Sequence, residues 1–144
     1  GEGYVLLPEA KDYKRIGEHD TGLNTGGMGA VSPVPFADKK LMDRIEKEII
    51  KPTIAGLKQD GIPYCGFIFF GLMNDNGTPK VIEYNVRMGD PETEVVIPRI
   101  KSDLLQLFVA AANKSLSKEK IEINPKEPRY LKVVWGVGYK IEKI

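Results

Sequence analysis

The sequence has 144 residues, of which 42% are hydrophobic and 28% are charged, with 21 basic and 20 acidic residues. This composition is typical of a folded globular chain and excludes disordered or collagen-like architectures. The net charge of +1 gives no electrostatic footprint for nucleic acid or for an anionic membrane, so neither is expected as a partner.

The first half is predicted to contain a strand followed by a long loop. Residues 4–14 have the strand-like composition of a β element. Residues 17–35 include five glycines and are predicted to form a glycine-rich loop.

A helix is predicted over residues 37–59, because leucine and isoleucine recur there at a spacing of four. Asp38 is its expected N-cap. Pro52 is expected to kink or restart the helix near Lys51, since the residue before a proline is pushed out of the helical region.

The second half predicts a hairpin and another helix. Residues 65–73 are apolar on both faces, as in a central strand, and the sequence Asn-Asp-Asn-Gly at 74–77 predicts a tight turn into a returning strand at 80–87. Asp103 is the expected N-cap of a helix that ends near 113.

The last thirty residues suggest a second unit. A polar stretch with prolines at 115–128 precedes an apolar alternation at Leu131, Val133, Trp135 and Val137, within residues 129–144. We therefore expect one domain at 1–114, a linker, and an opening strand of a further domain without a partner strand. The chain is expected to be part of a longer polypeptide.

Cysteine content and apolar runs indicate the compartment. The single cysteine, Cys65, cannot form an internal disulfide and is expected to be buried. The longest apolar run, 64–73, is shorter than the roughly 20 residues that cross a bilayer. A cytoplasmic protein without a membrane span is expected.

Three polar residues alternate along the predicted strand at 80–87. Glu83, Asn85 and Arg87 project from one face, about 6.6 Å apart, and the apolar residues between them take the opposite, core-like face. A carboxylate and an amide oxygen suit Mg²⁺, and the guanidinium matches a phosphate edge. The alternative is that this is only the solvated face of a sheet, which is the usual role of such a pattern.

An acidic turn follows the strand and favours the functional interpretation. Gly89-Asp90-Pro91-Glu92 adds two carboxylates beside the predicted cation site. Asp90 or Glu92 can receive an ammonium or hydroxyl group.

The glycine-rich segment 20–29 is a second candidate site. Its backbone N–H groups can approach a phosphate or carboxylate closely, and Lys14 and Arg15 add positive charge upstream. It lacks the Lys-Ser or Lys-Thr ending of a P-loop. Because His19 is the only histidine, the available side chains favour chemistry driven by a metal ion and fixed charges, such as phosphoryl transfer.

Three segments together resemble one known family. Asp12-Tyr13-Lys14-Arg15, the stretch from Asp20 to Ala30, and the stretch from Glu83 to Thr93 are similar in order and spacing to the phosphoribosylamine–glycine ligases of the ATP-grasp superfamily. The resemblance implies an α+β fold: the ATP-grasp C-terminal lobe, with a mostly antiparallel sheet, helices packed on one face, and the start of a following β-rich domain.

The resemblance also implies an activity. ATP would phosphorylate the carboxylate of glycine, and the amine of 5-phosphoribosylamine would attack the resulting acyl phosphate. The products would be glycinamide ribonucleotide, ADP and phosphate, in de novo purine biosynthesis. The family's adenine-binding lobe and amino-terminal domain are not in this sequence, so the 144 residues alone are expected to be inactive.

Residue roles follow from the same resemblance. Glu83 and Asn85 would ligate Mg²⁺ or Mn²⁺, Arg87 would meet the transferring phosphate of ATP, and Asp90 and Glu92 would join Arg87 as catalytic residues. The residues that would line the substrate side are Lys14, Arg15, Asp20, Thr21, Asn24, Thr25, Gly26, Gly27, Met28, Gly29, Asp90, Pro91 and Thr93. The alternatives are another ATP-grasp carboxylate–amine ligase and a non-catalytic module that binds metal or phosphate.

Overall fold

The computed structural model describes residues 3–124, 131–134 and 138–141. In these ranges, helices alternate with three antiparallel two-stranded sheets, which confirms the prediction of an α+β chain. The pairs are β1 (Lys11–Gly17) with β2 (Thr21–Val31), β3 (Phe69–Asp75) with β4 (Thr78–Asn85), and β5 (Leu131–Val134) with β6 (Gly138–Ile141). No helix among the described residues is long and apolar enough to span a membrane.

The first hairpin corrects two predictions. The predicted loop at 17–35 is mostly strand β2, which pairs with β1. The predicted strand at 4–14 begins only at Lys11, and residues 3–10 have no regular secondary structure. The ladder of an antiparallel pair is made by backbone groups, so a glycine-rich segment can pair despite its low strand propensity.

The predicted helix exists and runs through its proline. Helix α1 (Lys39–Ile45) continues through a π-helical turn at Glu46–Ile50 into α2 (Lys51–Gln59). The Asp38 carboxylate accepts a hydrogen bond from the Leu41 N–H at 2.8 Å, which confirms the cap. The predicted restart near Lys51 is present, since α2 begins there after the π turn, but Lys51 is not pushed out of the helical region: its angles are φ −59° and ψ −45°. The wider π turn directly before it gives the proline ring room in the helix.

The second hairpin forms where the turn sequence predicts it. Asn76 and Gly77 have φ of 50° and 84°, as a type I′ turn requires. Strand β3 starts at Phe69, later than expected, because the chain before it packs on a helix: the Phe67 and Phe108 rings meet edge to face at 5.9 Å. Cys65 is exposed, so its predicted burial is wrong.

Two further helices complete the main body. Helix α3 (Glu92–Val96) follows the acidic turn, and α4 (Leu104–Ala112) begins at its predicted cap, Asp103, whose carboxylate accepts from the Leu105 and Gln106 N–H groups. Part of the predicted linker is hydrogen bonded to this body: the Lys101 N–H donates to the Glu122 carbonyl at 2.9 Å.

The carboxyl-terminal prediction of a lone strand is wrong, because β5 pairs with β6. Trp135 and Val137 of the predicted apolar alternation lie outside the described residues.

An ion pair between buried Arg99 and half-buried Glu9 joins distant parts of the chain. Arg99 is 5% exposed, and its Nη1 lies 3.6 Å from Glu9 Oε1 and donates to Ser32 Oγ. Glu9 Oε1 also accepts from the Val34 N–H at 3.1 Å. This network ties residues 3–10 to the end of β2. Among the residues whose burial the structure describes, the buried hydrophobic side chains include Val34, Leu41, Ile49, Ile50, Val96, Leu107 and Ala110.

The predicted core-like face of β4 is exposed. Ile82, Tyr84 and Val86 are 62%, 52% and 72% exposed. The register passes from Gly71↔Glu83 to Leu72↔Val81, so Ile82 forms a bulge, and the strand ends at Asn85 before Val86 is reached. The simple two-residue alternation assumed from the sequence therefore does not extend along the whole segment.

Candidate functional site between the two hairpins

Charged side chains from β1 and β4 meet between the first two hairpins. Lys14 Nζ lies 3.4 Å from Asp12 Oδ2 and 4.0 Å from Glu83 Oε1. Their side chains are 45%, 28% and 49% exposed, respectively. Ion pairs this exposed contribute little to folding stability, because water and salt screen them. A gain in folding stability therefore does not explain why Asp12, Lys14 and Glu83 lie together.

The Glu83 side chain lies across the neighbouring strand. A Cβ at Gly71, its partner in β3, would be 2.7 Å from Glu83 Cγ. Only a glycine at 71 leaves the carboxylate in this position. Sequence analysis missed Gly71 and Asp12. A glycine inside an apolar strand is a signal of close approach, and Asp12 alternates with Lys14 along β1.

Only two members of the predicted polar triad lie on strand β4. Glu83 and Asn85 share one face, since their partners Gly71 and Phe69 are also two residues apart without an irregularity between them. Arg87 lies beyond the strand, where its Nη1 donates to the Met88 carbonyl at 3.1 Å. The expectation that strand alternation aligns all three side chains is wrong.

A cavity of about 1350 Å³ adjoins these residues. Its lining is mostly apolar, and the charged residues in the lining include Asp12, Lys14, Glu83, Arg87 and Glu92. Ligand pockets commonly measure about 300–1,000 Å³, so the space is ample for a small acid and part of a polyphosphate. Several predicted site residues that the structure describes lie outside this lining: Asn85, Arg15, Asp90 and the residues of β2.

Strand β2 has a wide bulge opposite Lys14. Tyr13 pairs with Gly29 and Arg15 pairs with Asn24, so β1 contributes one residue between these pairs and β2 contributes residues 25–28. The Thr25 hydroxyl donates to the Lys14 carbonyl at 2.7 Å and accepts from the Gly27 N–H at 3.2 Å.

The bulge touches the acidic turn at Gly27. A Cβ at this position would be 2.8 Å from Pro91 Cδ and 3.0 Å from the Asp90 carbonyl oxygen, and φ of Gly27 is +150°. Both the contact and the backbone conformation require glycine. Two segments that the sequence marked as separate candidates thus form one contiguous surface.

Side chains within the acidic turn differ in exposure. Glu92 is 6% exposed, and its carboxylate packs so closely on Gly89 that a Cβ there would collide with it. The Thr93 hydroxyl donates to the Gly89 carbonyl. Asp90 is exposed, so of the two predicted acidic residues it is the more accessible to a ligand.

The remaining predicted substrate residues lie along the first hairpin. The Thr21 hydroxyl donates to the Glu18 carbonyl at 2.7 Å. A Cβ at Gly26 or Gly29 would meet nothing within 4 Å, and Met28 is 57% exposed. Asp20 ends a short 3₁₀ turn, Glu18–Asp20, between β1 and β2.

The segments that form this site lie in a part of the chain that matches a known protein family. Residues 1–93 match the family model described as phosphoribosylglycinamide synthetase, ATP-grasp (A) domain. The chain belongs to this family.

Similar proteins cover most of the chain. It is 53% identical over 116 residues to the phosphoribosylamine–glycine ligase of Chlorobaculum tepidum, covering 81% of this chain and 27% of that protein. It is 46% identical over 127 residues to the same-named ligase of Vibrio vulnificus, covering 88% and 30%. A crystal structure of the Thermotoga maritima phosphoribosylamine–glycine ligase matches 99% of this chain and 36% of that chain, with 36% identity and a TM-score of 0.67. The chain thus spans less than a third of the length of these two curated relatives.

The donor set of this ATP-grasp segment is small. No group of three or more His, Cys, Asp or Glu side chains is placed to hold a metal ion within the described ranges. Glu83 and Asn85 provide two oxygen donors on one face, and Mg²⁺ is often bound by one or two protein oxygens together with waters and substrate phosphates. The residues present therefore fit a metal that arrives with a polyphosphate, and they do not fit an all-protein cage.

Proposed function

We propose that this chain provides part of the active site of an ATP-dependent ligase that joins glycine to 5-phosphoribosylamine, giving glycinamide ribonucleotide in purine biosynthesis. The observation that carries the proposal is the meeting of three segments: β1 at Lys14, the β2 bulge at Gly27, and the β4 end with its acidic turn at Glu83 and Asp90. The names of the similar proteins support the choice of substrates, and the family supports ATP as the phosphoryl donor.

The proposed reaction proceeds in two displacements. The glycine carboxylate attacks the γ-phosphorus of ATP, the bond to ADP breaks, and an acyl phosphate forms. The amine of 5-phosphoribosylamine then attacks the acyl carbon, a C–N bond forms, phosphate leaves and the amine loses a proton. Positioning and charge stabilisation provide most of the catalysis in phosphoryl transfer, which agrees with a site that contains no histidine among its proposed residues.

Glu83 and Asn85 are proposed to hold Mg²⁺ or Mn²⁺. The divalent ion would neutralise charge on the polyphosphate. Lys14, whose Nζ lies 4.0 Å from Glu83 Oε1, would turn its ammonium toward a phosphate oxygen, and Arg87 in the cavity lining would stabilise the transferring phosphoryl group.

The acidic turn is proposed to bind the substrate side. Exposed Asp90 would receive the glycine ammonium or a ribose hydroxyl, while buried Glu92 would keep the turn in place against Gly89. The open space beside Gly26 and Gly29 leaves their backbone accessible to an anionic group.

The domain organisation is part of the proposal. Residues 1–114 would form the ATP-grasp C-terminal lobe, with its helices on one face of the sheet, 115–128 a linker, and 129–144 the start of a β-rich domain. Turnover would require further segments of the kind that make up the rest of the relatives' length, and the protein would act in the cytoplasm.

A direct test is an assay of the full-length polypeptide with ATP, glycine and 5-phosphoribosylamine. The expected result is stoichiometric formation of glycinamide ribonucleotide, ADP and phosphate, with no product when either substrate is omitted. Turnover with a different amine only would indicate another ATP-grasp ligase. Binding of Mg²⁺ or phosphate by residues 1–144 without any turnover by the full-length protein would indicate a non-catalytic module.

A further inference from the structure

We infer that Thr25 is a positioning residue, whose hydroxyl fixes the β2 bulge and through it the acidic turn, and that it does not contact substrate. This inference rests on the proposed function and refines it, because the sequence placed Thr25 among the substrate-binding residues. It concerns how the three segments that form the candidate site are held together.

The hydrogen bonds of Thr25 leave it no proton for a ligand. A hydroxyl has one donor hydrogen and two acceptor lone pairs. The single hydrogen of Thr25 is donated to the Lys14 carbonyl at 2.7 Å, and one lone pair accepts from the Gly27 N–H at 3.2 Å. A phosphate or carboxylate needs a donor, so Thr25 cannot bind one without giving up its bond to Lys14.

These two bonds act where the strand ladder is interrupted. Residues 25–28 have no ladder partners on β1, because Lys14 alone stands opposite them. The hydroxyl bridges the gap by joining the backbone of Lys14 to the backbone of Gly27. The side chain of the same Lys14 extends toward Glu83, so the Thr25 hydroxyl links the bulge to the residue that pairs with Glu83.

Gly27 connects the bulge to the acidic turn by close packing. Its backbone lies so close to Pro91 and the Asp90 carbonyl that no Cβ fits between them. The turn is also internally bonded, since the Thr93 N–H donates to the Gly89 carbonyl at 3.0 Å and the Glu94 N–H to the Pro91 carbonyl at 3.2 Å. A displacement of the bulge must therefore move Asp90 or open a gap beside it, and a misplacement of about 1 Å can lower turnover roughly a hundredfold.

The test compares Thr25→Val, which keeps the side-chain shape and removes the hydroxyl, with Thr25→Ser, which keeps the hydroxyl. In the full-length polypeptide, Thr25→Val is expected to lower kcat/KM for glycine by about tenfold to a hundredfold, with the KM for ATP changed less than about twofold. Thr25→Ser is expected to restore kcat/KM to within about threefold of the unsubstituted protein.

A second readout needs no substrate. Amide hydrogen exchange of Thr93 and Glu94 in the ligand-free 144-residue chain is expected to be about tenfold faster in Thr25→Val and unchanged in Thr25→Ser. A residue that only touched substrate would leave both rates unchanged. Unfolding midpoints separate this local change from global destabilisation, and Thr25→Ala replaces Thr25→Val if the latter does not fold.

The outcomes distinguish this inference from the proposed function. A full-length protein without ligase activity would remove the proposed function, and the exchange rates would still decide the role of Thr25. Exchange at Thr93 and Glu94 that is the same in the unsubstituted chain, Thr25→Val and Thr25→Ala would overturn the inference. It would also be overturned if Thr25→Ser accelerated exchange as much as Thr25→Val.

Discussion

The first two hairpins are built from the same element type and are held by different forces. The β3–β4 hairpin has a turn that its own residues favour, because Asn76 and Gly77 adopt positive φ angles, and the Gly77 carbonyl also accepts a hydrogen bond from Arg44 of α1. The β1–β2 hairpin has an irregular ladder, whose gap is bridged within the hairpin by Thr25 and Lys14, and it meets a distant segment where Gly27 contacts Pro91. The difference shows that a favourable turn sequence accompanies a nearly regular ladder, while a bulged ladder needs side-chain hydrogen bonds and close packing where its backbone pairs are missing.

The largest expected effect is on chemistry, at the β3–β4 hairpin. Glu83→Ala is predicted to lower kcat of the full-length protein by about a hundredfold or more, because a metal-bound polyphosphate would lose its carboxylate ligand. The free energy of unfolding should change by less than about 0.5 kcal/mol, since the side chain is half exposed. Near-normal kcat would remove Glu83 from the proposed site, and Glu94→Ala, outside that site, is the matched control.

The next effect tests the tertiary dependence of β1–β2. Gly27→Ala is predicted to destabilise the 144-residue chain by about 2–3 kcal/mol in urea unfolding, because it combines backbone strain with a clash against Pro91. Gly26→Ala, where a Cβ meets nothing within 4 Å, should change stability by less than about 0.5 kcal/mol. Equal values for the two variants would contradict the contact between the bulge and the acidic turn.

A smaller effect is expected at the local turn. Gly77 also has a positive φ, of 84°, but a Cβ there would meet nothing within 4 Å. Gly77→Ala should therefore show only the backbone term, about 1 kcal/mol of destabilisation in the same urea measurement, and Gly77→Asn less than that. A loss as large as that of Gly27→Ala would mean that the substitution also disturbs the hydrogen bond from Arg44 to the Gly77 carbonyl.

The smallest effect concerns the segment that precedes both hairpins. Burial and a 2.7 Å hydrogen bond from its hydroxyl to Glu46 raise the pKa of Tyr4 to about 12. A group whose folded pKa is raised above its unfolded value near 10 contributes stability that is complete below pH 10 and is lost as the pH rises toward 12. Thermal unfolding between these pH values should show this loss, and Tyr4→Phe should show a smaller one.

Prediction from sequence succeeds for the features whose hydrogen bonds form between neighbouring residues. Asp38 and Asp103 were found as caps because a cap is satisfied within three residues of itself. The Asn-Gly turn was found for the same reason. Strand β2 was missed because its glycines favour a loop by composition, whereas its pairing with β1 is made by backbone groups that composition does not reveal.

The candidate site shows the same limit. The strand period placed Glu83 and Asn85 on one face, but the Ile82 bulge and the bend after Asn85 are set by packing and were not visible in the alternation. The roles of Asp12 and Gly71 depend on the placement of β1 and β3 beside Glu83, which the sequence alone does not show. The resemblance of the three segments to one family pointed to the region, and the structure brings those segments into contact.

The most direct test of the proposed site is a crystal structure of the full-length protein with Mn²⁺ and ADP, with the manganese located by its anomalous scattering. We predict manganese bound by the Glu83 carboxylate and the Asn85 amide oxygen, within about 2.5 Å of each, with the Lys14 ammonium moved onto a phosphate oxygen. Manganese and nucleotide held by other residues, with Glu83 still paired to Lys14, would contradict the account.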